Sequence, residues 1–278
     1  MEISATQASS QSDPLDPASQ LLHWTALTGG TLNEVARHND VIRRGRNAHS
    51  VATVQLLNWL EVQAMPQVPR VVAHTESHLY LRYLEGEAVL RPWPLEVKRN
   101  AWAEQLGAWL RTYHDKVQGF KLCEGAAFIR GPQQAESGMV VCHGDLGPWN
   151  FLQVDGTLTG VVDWDLAYFG SPLDDLASLA LDAVPLRKSM DSTMGECASR
   201  EMLRSRLEAL LTSYGTSMTV ARFLEHVVDY LDRLAIETRS AAAQGIAPFT
   251  QFVKRGFLDA FASDRDHIKS FWIDECSG

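Results

Sequence analysis

Residues 140–166, VVCHGDLGPWNFLQVDGTLTGVVDWDL, constrain this chain more than any other stretch. Two short apolar runs, Met139–Cys142 and Leu158–Val162, each end in a polar cluster carrying an aspartate. Between them stand His143-Gly144-Asp145, then Asn150, then an apolar run Phe151–Val154 that turns at Asp155-Gly156. An Asp-Gly pair between two alternating apolar runs predicts a tight β-hairpin. That hairpin brings Asp145 and Asn150 to the same edge of a small sheet as Asp163 and Asp165.

Singly, each of these polar residues is an ordinary turn cap. Together they supply what phosphoryl transfer needs: a carboxylate to orient the attacking hydroxyl, and two hard-oxygen ligands for Mg²⁺. Such carboxylates need no raised pKa, because a metal's positive charge favours their ionised form. Catalysis of this kind rests on positioning and charge neutralisation, with little covalent chemistry.

A chain of 278 residues suffices for one large domain or two lobes with a substantial core. Its net charge of −9 argues against nucleic acid as the main partner and is compatible with a cationic small substrate. No apolar run approaches the ~18 residues of a membrane-spanning helix. The N-terminus lacks the basic and apolar regions of a secretion signal, so a cytoplasmic location is expected and no membrane partner. Four scattered cysteines, Cys123, Cys142, Cys197 and Cys276, form no CxxC pair and read as free thiols.

Residues 1–20 are rich in Ser, Gln, Ala, Asp and Pro without apolar periodicity, and are expected to be a flexible tail. From Leu21 the pattern reads strand, glycine turn at Leu27–Asn33, strand at Glu34–Arg37 and strand at Val41–Arg44. Residues 49–64 place Val51, Val54, Leu57 and Leu60 on one helical stripe, and Pro66 and Pro69 end that helix. Two further strands are expected over Val68–His74 and His78–Leu84. Helix-rich sequence then begins with the amphipathic Trp102–His114, whose Leu106, Trp109, Leu110 and Tyr113 share a face. Ser171–Ala177 opens another helix with proline and acidic residues in its first turn. Residues 199–215, 219–243 and 248–262 are three further helical segments.

These residues resemble the aminoglycoside phosphotransferase family, relatives of choline kinase within the protein-kinase-like fold. HGDLGPWN (His143–Asn150) and VVDWD (Val161–Asp165) carry the resemblance, supported by PLDDLA (Pro172–Ala177). Weaker matches are LTGGTLN (Leu27–Asn33), VIRR (Val41–Arg44) and YLEGE (Tyr83–Glu87). The resemblance implies an α+β, two-lobed fold: a β-rich N-lobe over 21–84 and a mainly helical C-lobe over 85–278, with nucleotide between them. It implies an ATP-dependent, or GTP-dependent, small-molecule kinase that phosphorylates a hydroxyl with Mg²⁺.

By the same resemblance Asp145 looks like the catalytic base, and His143 like the residue that brackets the catalytic loop. Asn150 and Asp163 look like the metal ligands. Asp165 stands behind them, and Asp175 resembles the aspartate that anchors the loop's backbone. Gly29, Gly30 and Asn33 look like the nucleotide-covering turn, and Leu81, Tyr83 and Leu84 like the hinge beside the base. Arg43 or its neighbour Arg44 stands where the family carries a phosphate-binding lysine.

Two departures qualify the match. The phosphate cation is arginine, and Thr53 stands near the position of the glutamate that would pair with it. Arginine always carries its charge and grips phosphate as a fork, so it works without such a partner. The departures leave an alternative open: a kinase-like nucleotide-binding or regulatory protein that transfers little or nothing. For the acceptor, Glu225, Asp229 and Asp232 share a helical face suited to substrate ammonium groups. Arg222 and Arg233 lie at pairing distance in sequence, so an ion-paired surface is the competing reading. Oligomeric state is not legible.

Overall fold

The computed structural model describes residues 24–27, 35–188 and 199–273. The expected tail over 1–20, the turn residues Gly29, Gly30 and Asn33, and Cys197 and Cys276 lie outside the described residues.

The N-terminal lobe is a five-stranded antiparallel sheet in the order β1-β2-β3-β5-β4. Its strands are β1 (Thr25–Ala26), β2 (Val35–His38), β3 (Val41–Gly45), β4 (Val71–His74) and β5 (His78–Arg82). Helix α1 (Ser50–Val62) connects β3 to β4 and buries Ala52, Val54, Leu56, Leu57 and Leu60. Val51, expected on that buried stripe, is exposed. Each i+3 step falls about 60° short of a full turn, so four such positions sweep half the helix and cannot all face one core.

The chain leaves this sheet after Tyr83, whose backbone N–H donates to Asp40 O at 2.7 Å. It enters the second lobe at β6 (Glu87–Ala88), which pairs with β8 (Phe151–Val154). Helix α2 (Asn100–Lys116) buries Leu106, Trp109, Leu110 and Tyr113, the face expected from its periodicity. It packs closely on α4 (Arg200–Tyr214): a Cβ at Gly107 would lie 2.5 Å from Leu210 O, so only glycine admits this approach.

The predicted hairpin is present. Strands β8 and β9 (Thr157–Val161) pair antiparallel from Phe151↔Val161 to Val154↔Thr157. The run before His143, β7 (Val140–Cys142), pairs with β10 (Tyr168–Gly170), so two small sheets hold the two ends of the central segment. Helix α3 (Pro172–Ala183) follows, and Ser171 Oγ caps it by accepting from Leu173 N.

The rest is α-helical: α5 (Val220–Ala243), α6 (Ala247–Lys254) and α7 (Phe257–His267). A single helix was expected over 248–262, but Gly256, at φ 80°, breaks it into α6 and α7. The result is a β-rich lobe and a mainly helical lobe, the class the resemblance implied. No helix among the described residues is long and apolar enough to cross a membrane.

One buried cation ties the helices together. Arg206 is 1% exposed and donates to Ala183 O, Arg99 O and Val97 O at 2.7, 2.6 and 2.8 Å. Burial lowers its pKa to about 10. Its fork satisfies a carbonyl left open at the end of α3 together with Val97 O, and shares Arg99 O with Trp102 N, which donates to it at 3.1 Å.

Candidate active site

The loop His143–Asn150 leaves β7 at His143, which is fully buried. Its Nε2 donates to Val162 O at 3.1 Å, and its Nδ1 accepts from Asp145 N at 3.3 Å, which assigns the neutral Nε2–H tautomer. Burial lowers its pKa to about 4, so the ring stays neutral. It lies 4.4 Å from the Trp164 ring and bridges the two acidic segments without exposure to a substrate.

Asp175, on the first turn of α3, holds the loop from below. Its carboxylate accepts from His143 N at 2.8 Å, Gly144 N at 3.1 Å and His114 Nε2 at 3.3 Å. Burial alone would raise its pKa, but the His114 bond and the other donors outweigh this and hold it below the ordinary value. His114 in turn meets the Tyr214 hydroxyl at 2.9 Å, so it is a satisfied core histidine.

Asp145 stands at the head of the loop with its two oxygens in different surroundings. Oδ2 accepts from Asn150 Nδ2 at 2.9 Å and from Trp149 Nε1 at 3.5 Å. Oδ1 accepts no hydrogen bond among the described residues. Burial, and then the Asp163 charge, raise the carboxyl to about 7, against the opposing bonds from Asn150 and Trp149.

The second acidic segment begins where β9 ends. Val162 N donates to Asn150 O at 2.9 Å, which ties it to the loop. Asp163 adopts a left-handed backbone, φ 64° and ψ 68°, and its side chain is 52% exposed. Desolvation and then Asp165 raise its pKa, and Arg44 lowers it.

Strand alternation separates the two candidate arginines. Arg43, opposite Tyr80, turns to the outer face, where its guanidinium lies 4.6 Å from the Trp24 ring. Arg44, opposite Leu79, turns inward and is 8% exposed. It grips Asp165 with both terminal nitrogens, NH1 to Oδ2 at 2.9 Å, and approaches Asp163 Oδ1 at 3.5 Å. The carboxylate partner absent at Thr53, which is itself buried, is thus supplied by Asp165.

The donor set suits a magnesium ion shared with phosphates. Mg²⁺ takes oxygen ligands, often one or two from protein and the rest from phosphate and water. Asp163 offers a half-open carboxylate. Asn150 turns its amide nitrogen to Asp145, which leaves its amide oxygen available. Among the described residues no group of three His, Cys, Asp or Glu side chains forms a metal cage of its own.

Of the expected hinge residues, Leu81 packs against the main core and Tyr83 lies under Arg37, whose guanidinium is 3.5 Å from its ring. Leu84 packs toward Gly160, where an added Cβ would meet it at 2.9 Å. The acceptor candidates are not gathered at the loop. Glu225 pairs with Arg222 along the exposed face of α5, Asp232 pairs with Arg265, and Asp229 is exposed between them. Glu225 and Asp232 are thus ion-paired in this structure, and Arg233 is bound to Asp174.

Two residues reach the loop that sequence reasoning passed over. Arg130, its side chain 7% exposed, lies 3.8 Å from the Tyr168 ring, 3.3 Å from Glu237 and 3.4 Å from Gly144 O. It sits in a segment without strand or helix, so no periodicity marks it. Trp149 stands inside the motif, where it reads as one apolar residue among several.

Residues 125–215 match the model of the Phosphotransferase enzyme family. Over that segment the chain carries the phosphotransferase-family pattern. The trifolitoxin immunity protein of Rhizobium leguminosarum bv. trifolii is 32% identical over 150 residues, 51% of this chain and 54% of that protein. The chain therefore spans about half the length of the curated relative it matches. Among solved structures, wild-type aminoglycoside 2'-phosphotransferase-IIIa in its GDP complex superposes with a TM-score of 0.59 at 15% identity, covering 90% of this chain and 95% of that one. An amicoumacin kinase in complex with AMP-PNP and Ca²⁺ gives 0.61 at 13% identity, covering 90% and 89%. At such identities these structures share the fold, and the kinase-like fold of this chain is thereby shown.

Proposed function

We propose that this chain is a nucleotide-dependent small-molecule kinase that transfers a γ-phosphoryl group from ATP or GTP to an acceptor hydroxyl, working in the cytoplasm. The observation that carries the reading is the asymmetry of Asp145, whose Oδ2 is tied by Asn150 and Trp149 while Oδ1 is left free. A base held in this way presents one oxygen in a defined direction.

In the proposed step the acceptor oxygen attacks the γ-phosphorus while its proton passes to Asp145 Oδ1. The new O–P bond forms as the bond to the β-phosphate oxygen breaks, and the nucleoside diphosphate leaves with that electron pair. Mg²⁺, held by Asn150 and Asp163, would supply neutralising charge on the phosphate oxygens. Arg44 would turn its fork to phosphate when nucleotide enters, with Asp165 fixing its direction. His143 and Asp175 keep the loop backbone in place.

The test is a coupled turnover assay with Mg²⁺ and ATP or GTP against a panel of alcohols. Aminoglycosides, amicoumacin and trifolitoxin belong in it, because the similar proteins carry those names. Acceptor-stimulated turnover that disappears in Asp145→Ala, with nucleotide binding retained, supports a kinase. Turnover that survives Asp145→Ala rules out this mechanism.

A second reading is a nucleotide-binding protein without transfer. It is favoured by the closed contact of Arg44 with Asp165 and Asp163, which occupies the phosphate cation. Nucleotide binding with no stimulated turnover across the panel is its signature.

A further inference from the structure

Arg130 lies between α2 and β7, outside any strand or helix, yet its place is closely defined. The amide of Gln133 closes the turn that carries it. Its Oε1 accepts from Phe128 N at 2.9 Å, and its Nε2 donates to Phe128 O and Gly131 O at 3.3 and 3.1 Å. Phe128 and Ile129, both buried, fix the turn to the lobe. The Arg130 guanidinium lies 3.8 Å from the Tyr168 ring of β10. Nη1 donates to Glu237 Oε2 of α5 at 3.3 Å, and Nη2 donates to Gly144 O at 3.4 Å. Only 7% of the side chain is exposed.

Burying a cation is costly, and the carboxylate that meets this one, Glu237, is itself half exposed. An apolar side chain would fill the space beside Tyr168 at less cost. What it could not supply is a donor to Gly144 O. That carbonyl belongs to the peptide unit joining Gly144 to Asp145, whose N–H donates to His143 Nδ1 at 3.3 Å. Gly144 has φ 81°, and an added Cβ there would collide with Leu166 O and meet Arg130 Nη2 at 3.0 Å. Glycine is thereby required, and glycine leaves soft the torsion that turns this planar unit. Asp175 holds Gly144 N, which lies before that torsion. Beyond it, among the described residues, His143 and Arg130 hold the plane from its two edges.

We propose that Arg130 is a positioning residue for Asp145: its charge-assisted bond to Gly144 O sets the peptide plane from which the carboxylate projects. This rests on the kinase reading above. With so little of its side chain exposed, Arg130 acts on turnover through the loop and not by contact with nucleotide or acceptor.

The experiment measures wild type, Arg130→Met, Arg130→Lys and Asp145→Ala as full chains. Initial rates are taken with Mg²⁺, ATP or GTP, and aminoglycosides, amicoumacin or trifolitoxin as acceptor. Rates are expressed per nucleotide-binding site, so unfolded chains do not count. Arg130→Met should lower kcat about tenfold or more, with acceptor KM and nucleotide Kd within about twofold of wild type. Arg130→Lys keeps the charge without the fork and should recover part of the loss. In amide exchange read by NMR, Arg130→Met should speed the Asp145 amide about tenfold relative to those of His143 and Gly144, which Asp175 still holds. A general loss of stability speeds all three together. Arg130→Gln, smaller and polar, serves the same comparison where Arg130→Met does not fold.

A kcat within about twofold of wild type, or three amides that change together, overturns the positioning role and leaves the kinase reading standing. Turnover unchanged in Asp145→Ala, or no stimulation by any of these acceptors, removes the kinase reading and the role of Arg130 in it.

Discussion

Arg44 on β3 and Asp165, 121 residues further along the chain, form a two-pronged ion pair that joins the sheet of the first lobe to the Asp163–Asp165 segment of the second. Both side chains are largely buried, 10% and 15% exposed, so the pair is shielded from the screening that weakens surface ion pairs. A planar guanidinium facing a carboxylate gives two parallel hydrogen bonds, a geometry lysine lacks. The counter-charge of Arg44 thus comes from the Asp163–Asp165 segment.

Removing Arg44 leaves Asp165 buried and uncompensated, and neutralising Asp165 leaves Arg44 only its longer contact with Asp163. Arg44→Gln and Asp165→Asn should each destabilise by about 2–4 kcal/mol, and the double variant should reveal a coupling of about 1–3 kcal/mol. Arg43→Gln, on the outer face over Trp24, should stay within about 0.5 kcal/mol. Urea unfolding of the four variants measures this, and nucleotide titration should show a loss of about tenfold or more in the two variants that lack Arg44 and not in Arg43→Gln.

Asp175→Asn replaces an acceptor of three donors by a group with only one oxygen. Two backbone N–H groups of the loop then compete for it, while the amide nitrogen faces donors. A loss of about 2–4 kcal/mol is expected. Hydrogen exchange should locate it, with protection falling at the His143 and Gly144 amides before the rest of the lobe.

The raised pKa of Asp145 has a pH signature with a definite sign. The folded chain keeps its proton up to about 7, whereas an unfolded aspartate releases it near the ordinary value of about 4. Stability from this group is thus full below about pH 4 and is lost as pH rises through about 7. Asp145→Asn removes the dependence, so it should be more stable than wild type at pH 8 in EDTA, by about 1–2 kcal/mol after allowance for water in the cleft. At pH 5 the difference should shrink toward zero. His143, whose lowered pKa works in the opposite direction, is common to both proteins and cancels from the comparison.

Arg206→Met keeps the length of the side chain and removes its donors. Ala183 O and Val97 O lose their partner inside the helical lobe, and Arg99 O keeps only Trp102 N. A loss of about 3–5 kcal/mol is expected. Arg206→Lys, with one compact donor group, should recover part of it, as thermal unfolding at neutral pH will report.

Much of this architecture was legible in sequence because its signals are local. Asp155-Gly156 specifies a hairpin through its own backbone preferences, and the α2 stripe specifies a buried face by period. Val51 was misplaced because an i+3 row drifts around the helix, and only the position of the core says where the buried arc is centred. The break at Gly256 was missed because a single glycine within an apolar pattern is compatible with either one helix or two. Glu225 and Asp232 share a helical face, yet which face meets the loop depends on how α5 packs, and their partners Arg222 and Arg265 come from its surface and from α7.

Sequence by itself determined the chemical set at the centre of the chain: Asp145, Asn150, Asp163 and the hairpin that joins them. Spacing along a short segment limits what its residues can reach, so that set is nearly a local property. Tertiary structure decided everything that depends on phase or on distant partners. Strand alternation puts either Arg43 or Arg44 toward the cleft, and a shift of one residue exchanges them. Only the packed sheet selects Arg44 and delivers it to Asp165. The contact of Arg130 with Gly144 O and the turn of Trp149 onto Gly147 belong to the same class. Each arises where separate pieces of backbone approach, which no pattern along the chain encodes.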